Sequence, residues 1–228
     1  VLAKKKKITK RQIKEDKLVT TYVKLQEFYE EYQQKIFIGA AILAVLIVGL
    51  LLYNNKVKED NSKAAAELSK VIPLYNAKAF QEAIDGKPEN NIMGLKKIVE
   101  EYGSSEQGEN AKIYLANSYY MIGDIENALK YYEDYGGSVA TFKATSLAGI
   151  GACYEAMGNY GDAAEFYSKA AFVTKENPQI PNYLFRAGVN YFKTGQKKAA
   201  KKLFLMIKNE YKKSDYVAKA QNYLEMMS

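Results

Sequence analysis

Gly149-Ile-Gly-Ala-Cys-Tyr-Glu-Ala-Met-Gly-Asn159 decides the fold, because the chain carries its pattern three times. Tyr114-Leu-Ala-Asn-Ser-Tyr-Tyr-Met-Ile-Gly-Asp124 precedes it and Arg186-Ala-Gly-Val-Asn-Tyr-Phe-Lys-Thr-Gly-Gln196 follows, at intervals of 35 and 37 residues. A small residue recurs at Ala116, Gly151 and Gly188, and a tyrosine at Tyr119, Tyr154 and Tyr191. Glycine returns at Gly123, Gly158 and Gly195, alanine at Ala128, Ala163 and Ala200, and an aromatic at Tyr132, Tyr167 and Phe204. Small residues on two paired helices let the backbones approach, and the aromatics fill the wedge beside them. Glycine accepts the left-handed conformation that ends a helix. No such unit buries its own apolar face, so neighbours must stack.

A helix-turn-helix unit of about 34 residues with these small and aromatic positions resembles the tetratricopeptide repeat (TPR). The resemblance implies an all-α solenoid, with repeats at about 109–135, 144–173 and 181–210 and a capping helix over 214–227. Ile98-Val-Glu-Glu-Tyr102 followed by Ser104 matches Ile207-Lys-Asn-Glu-Tyr211 followed by Ser214, which extends the pattern to a diverged first unit over 62–102. Its first helix is expected from about Ser62 to Ile84, bent or interrupted near Pro73, and its second over 90–102. Pro88, Gly103–Gly108, Gly136-Gly137 and Pro178–Pro181 fall between helices. The domain over 54–228 is expected to hold about nine helices and no strand.

Working outward, Ile36–Tyr53 is a run of 18 uncharged and nearly all apolar residues, bounded by Lys35 and by Asn54, Asn55 and Lys56. As a helix it is about 27 Å long, close to the roughly 30 Å hydrocarbon thickness of a bilayer. A core helix needs no apolar surface all round, and the run starts too late for a cleaved signal peptide. It reads as a single transmembrane helix, 36–53, between an arm over 1–35 and the domain. The arm holds 10 Lys/Arg and 5 acidic residues, the domain 23 and 21, so most of the net charge of +7 sits beside the membrane. That placement suits anionic lipid headgroups rather than nucleic acid. Lys4–Lys7 and Lys10-Arg11 favour a cytoplasmic arm and a translocated domain. Leu18, Tyr22, Leu25, Phe28, Tyr29 and Tyr32 share a helical face, either an interfacial amphipathic helix or a solvated stalk.

No catalytic constellation emerges. Histidine is absent, which removes the commonest general base and most zinc sites, and the lone Cys153 lies beside a packing tyrosine. Gly149-Ile-Gly151 falls within a helix, where no phosphate reaches the amides, and no Walker sequence occurs. A non-catalytic protein without cofactor or metal is expected. Binding surface remains. Mapped by repeat position, the concave face shows Asn110, Ile113, Asn117, Tyr120 and Met121, then Ala148, Ala152 and Glu155, then Asn182, Phe185, Val189 and Phe192. This mixture suits a helix or an extended peptide, or is an ordinary solvated face. Residues 181–228 hold 10 basic and 3 acidic residues, and Lys197, Lys198, Lys201 and Lys202 form either a solvated face or a docking patch for an acidic partner or lipid.

A basic arm, one span and a TPR solenoid, in that order, is similar to YfgM-type proteins of the bacterial inner membrane. Tyr75-Asn-Ala-Lys-Ala-Phe-Gln-Glu-Ala-Ile-Asp-Gly86 also resembles the opening helix of that group. The resemblance implies an inner-membrane protein with its N-terminus cytoplasmic and its repeats in the periplasm. It implies association with the SecYEG translocon, a PpiD-like chaperone and unfolded polypeptide during protein export. The alternative is a structural subunit of another membrane or cell-envelope complex, with the repeats as a brace.

Overall fold

Helix α1 runs from Lys10 to Asn76 without interruption in the computed structural model, which describes residues 10–227 and their side chains from Val19. Lys4–Lys7 and the side chains of Lys10, Arg11 and Leu18 lie outside the described residues. The chain divides into two units, Val1–Asn55 and Lys56–Ser228.

In the first unit α1 is exposed on every side from Gln33 to Asn55. It holds the one helical stretch among the described residues that is long and apolar enough to cross a bilayer, with a mean hydropathy of 2.9. An all-round apolar helix has no hydrophilic face to offer water, which makes this stretch a candidate membrane span.

The second unit begins with the end of α1 and continues as α2 (Phe80–Asp85), α3 (Leu95–Tyr102), α4 (Glu106–Met121), α5 (Ile125–Glu133), α6 (Ala140–Ala156), α7 (Tyr160–Ala171), α8 (Ile180–Lys193), α9 (Lys197–Glu210) and α10 (Tyr216–Met226). The pairs α4/α5, α6/α7 and α8/α9 are the three repeats. Each inner helix ends in the same way. Gly123, Gly158 and Gly195 have φ of 86°, 81° and 76°. The next residue's N–H closes on the carbonyl of Tyr119, Tyr154 or Tyr191, and the glycine's own N–H on that of Tyr120, Glu155 or Phe192. This double closure satisfies carbonyls that the helix end would otherwise leave unpaired.

Packing follows the repeat as well. Tyr119 stacks on Tyr131 and Tyr154 on Phe166, at centroid separations of 5.6 and 5.5 Å. Tyr132, Tyr167 and Phe204 are buried, each worth roughly 1.5–3 kcal/mol of apolar transfer. A Cβ at Gly188 would stand 2.6 Å from the Phe204 ring, so only glycine lets α8 and α9 approach this closely. The interior is three buried clusters in series, sharing Tyr119 and Tyr131 at one border and Tyr120 and Tyr154 at the other. That is the expected economy of a solenoid, in which each repeat touches only its neighbours.

The structure departs from expectation in three ways, two of them in the first unit of the solenoid. Pro73 lies inside α1, and the break comes later, at Ala77–Ala79. Lys78 takes a left-handed φ of 62°, and Ala79 N–H closes on the Leu74 carbonyl, so the glycine-type ending is made without glycine. Tyr75–Gly86 is therefore the end of one helix and the whole of the next. The expected first helix is thus split into the end of α1 and α2, and the expected second helix begins only at Leu95, because Gly86–Lys87 and Ile92–Met93 pair as a short antiparallel hairpin, where no strand was expected. Its strands are two residues long, too short to show alternation. Pro88, Asn90 and the left-handed Asn91 form the turn. Lastly, Gly108 and Pro181 lie inside helices, Pro181 in the first turn of α8, where its missing N–H costs no hydrogen bond.

Candidate functional site

The inner helices α4, α6 and α8 line a groove of about 360 Å³, bounded by Asn117 and Tyr120 on α4, Thr145, Ala148, Gly149 and Ala152 on α6, and Asn182, Tyr183 and Arg186 on α8. Its depth has a local cause. A Cβ at Gly149 would collide with the Tyr132 ring, so the ring from α5 packs directly on the α6 backbone. The Ser146 hydroxyl donates to the Tyr132 carbonyl at 2.7 Å and helps hold that approach. The Tyr132 hydroxyl then donates to Asn117 Oδ1 at 2.5 Å. Burial pushes the Tyr132 phenol well above its ordinary range, so it is a donor at every physiological pH.

Beside this floor sits an ionic lock. Arg186 Nη2 donates to Glu155 Oε2 at 2.8 Å, and the Tyr167 hydroxyl donates to the same oxygen at 3.2 Å. The guanidinium carbon lies 4.7 Å above the Tyr167 ring, and Lys193 Nζ is 3.5 Å from Glu155 Oε1. Burial works against the charged form of Glu155. The Arg186 guanidinium, with smaller contributions from Asn190 and Lys193, outweighs it and holds the carboxyl below its ordinary value. Arg186, the one cation among the described residues that lines the groove, is thus already neutralised. What the groove offers a ligand is amides, phenols and aromatic edges.

The residues mapped from repeat position separate into three groups. Asn117, Tyr120, Ala148 and Ala152 border the groove, and Glu155 holds Arg186 at its edge. Ile113 is buried in the core between the first two repeats. Phe185, Val189 and Phe192 are half-buried, and both phenylalanines are covered by α10: Tyr216 lies 5.3 Å and Tyr223 5.8 Å from Phe185, and Tyr223 lies 5.5 Å from Phe192. Of the other mapped residues, Asn110 is buried, Met121 is exposed and Asn182 lines the groove. Lys197, Lys198, Lys201 and Lys202 are exposed along α9, with no ion pair among the described residues. Cys153 is buried, and burial pushes its thiol up to about 12, which keeps it protonated and unreactive at neutral pH.

Gly149, Arg186 and Tyr223 were missed as site residues, although the repeat intervals contain them. They occupy one repeat position, and each meets the buried aromatic of the preceding repeat: Tyr132, Tyr167 and Phe204 respectively. Gly149 and Arg186 head two of the aligned segments, and carrying the 37-residue interval once more leads to Tyr223.

Comparison with known proteins agrees with this architecture. A family profile described as a tetratricopeptide repeat-like domain matches residues 26–150, and one described as a tetratricopeptide repeat matches 183–214. Among solved structures, a variant of a Podospora anserina kinesin light chain-type protein with nearly identical TPR-like repeats superposes with a TM-score of 0.53. It shares 16% identity, over 73% of this chain and 93% of that one. At that identity the likeness concerns the fold alone. No curated protein matches the chain significantly.

Proposed function

The chain belongs to the tetratricopeptide repeat-like domain family, and from that premise we propose that it is a membrane-anchored, non-catalytic adaptor that attends protein export. A TPR solenoid is a scaffold for protein–protein interaction, and one groove carries the finer reading. Its lining offers Asn117, Asn182, Thr145 and tyrosine hydroxyls, with its arginine already paired to Glu155. Such a surface hydrogen-bonds the backbone of an extended polypeptide without selecting its charge, which suits a chain emerging unfolded from a translocon. Asn117, Tyr120, Ala148 and Ala152 are the contact residues of this reading, and the exposed Lys197, Lys198, Lys201 and Lys202 are a second surface for an acidic partner.

The order of elements supports the rest. Residues 1–35 are a cytoplasmic arm, 36–53 the span and 54–228 the periplasmic repeats of a bacterial inner-membrane protein similar to the YfgM type. SecYEG and a PpiD-like chaperone are then the partners. Gentle detergent extraction of native membranes, affinity capture and mass spectrometry test this. Stoichiometric recovery of translocon subunits or of a periplasmic chaperone is expected. Recovery of a different complex without them would replace the adaptor with a structural brace. Impermeant protease on intact spheroplasts is expected to digest the repeats, and digestion only after lysis would reverse the orientation.

A further inference from the structure

Helix α1 carries a line of large side chains, most of them exposed among the described residues. Tyr22, Leu25 and Tyr29 are 68%, 61% and 44% exposed, and the line continues to Tyr32 and Ile36. Their spacing alternates three and four residues, and the same rhythm runs on through Gly39, Leu43, Leu46, Leu50 and Tyr53. A 3.5-residue period keeps one seam facing a partner helix, whereas a lone amphipathic helix follows 3.6. We propose that Tyr22–Ile36 of α1 pairs in parallel with the same segment of a second copy of this chain, as a short coiled coil continuous with the span. The inference rests on reading Ile36–Tyr53 as that span.

Three observations favour this occupant over a lipid surface. A helix lying in the headgroup plane must turn before the next segment can cross the bilayer. Here the helix is unbroken from Lys10 to Asn76, and its only proline is Pro73, so nothing turns it between Tyr32 and Ile36. The seam therefore continues out of the bilayer into water, where an uncovered apolar stripe is costly. The charges also stand clear of it. Lys24, Glu27, Glu30 and Glu31 fall on the far positions of the heptad, and the positions flanking the seam are Gln26, Phe28, Gln33 and Lys35. No carboxylate of one copy would face a carboxylate of the other. Within the span, the seam position Gly39 has open space around it, which permits close approach of a second helix. Copies inserted with one topology can only pair in parallel.

Variants of the full chain that add one cysteine and keep the buried Cys153 test the pairing in native membranes. Under mild oxidation, Y22C, L25C and Y29C are expected to give roughly tenfold more disulfide-linked dimer than E27C and E31C, which face away from the seam. Equal crosslinking at all five positions, or none at any, overturns the pairing. A second readout avoids new cysteines. In mild detergent the unaltered chain should scatter light as a dimer and the L25E/Y29E variant as a monomer, and an unaltered chain that is monomeric overturns the proposal. Alkaline carbonate separates the two levels. A chain stripped from the membrane defeats the span and the pairing together, whereas a chain retained without seam-selective crosslinks defeats the pairing alone.

Discussion

Ala148 and Ala152 on α6 hold the same repeat positions as Phe185 and Val189 on α8, yet the first pair borders an open groove and Phe185 lies under α10. The difference originates one helix further on. On α6, Gly149 lets Tyr132 of α5 settle on the backbone, and the surface above is hollow. Over α8 and α9, Tyr223 stacks at 5.1 Å on Phe204 and closes on both phenylalanines. Arg186 stands between these extremes, covering Tyr167 with a charged plane. One repeat position, filled by nothing, by a cation or by an aromatic ring, thus grades the inner face from open to closed. A solenoid need not be uniform to be regular: the repeat sets where a side chain stands, and its size sets whether the groove survives.

Substitutions can break that contrast, beginning with the closed end. Tyr223→Ala removes the ring that contacts Phe185, Phe192 and Phe204, and should cost about 3 kcal/mol in denaturant unfolding. It should also expose Phe185 and Phe192, raising the fluorescence of an apolar dye at the native state. A loss of stability without new dye binding would mean that α10 is not the lid. At the open end, Gly149→Val drives a side chain into Tyr132 and should cost about 2 kcal/mol while abolishing capture of extended peptides. Retained capture would place the binding surface elsewhere.

Between the two ends, Glu155→Gln should cost about 1.5 kcal/mol. Its carboxyl is held below its ordinary value in the folded chain, so its stabilisation is fully present above the unfolded value and fades as pH falls through the folded one. The variant should accordingly lose less stability on acidification than the unaltered protein, and identical acid profiles for the two would be fatal to the lock. The smallest change sharpens a different contrast, that between the glycine-ended repeats and the lysine-ended first unit. Lys78→Gly relieves a left-handed lysine and should raise stability by about 0.5–1 kcal/mol, read as a higher unfolding midpoint.

How much of this was legible varies along the chain. The three glycine-closed helices could be read because their endings demand a residue type that the eye can find. The first unit was harder, since Lys78 does glycine's work by context and the two-residue hairpin leaves no periodic trace. The groove was legible by half. Repeat position brought Asn117, Tyr120, Ala148 and Ala152 to one surface, but it could not tell that Ile113 turns into the core or that α10 brings its tyrosines over Phe185 and Phe192.

The linear pattern alone determined the α-helical repeats, their order, and an apolar helix suited to a membrane, because spacing and residue size are properties of the chain itself. Which inner face stays open was decided only by tertiary structure. Accessibility belongs to pairs of helices, and whether a side chain meets solvent depends on what the next repeat brings to stand against it.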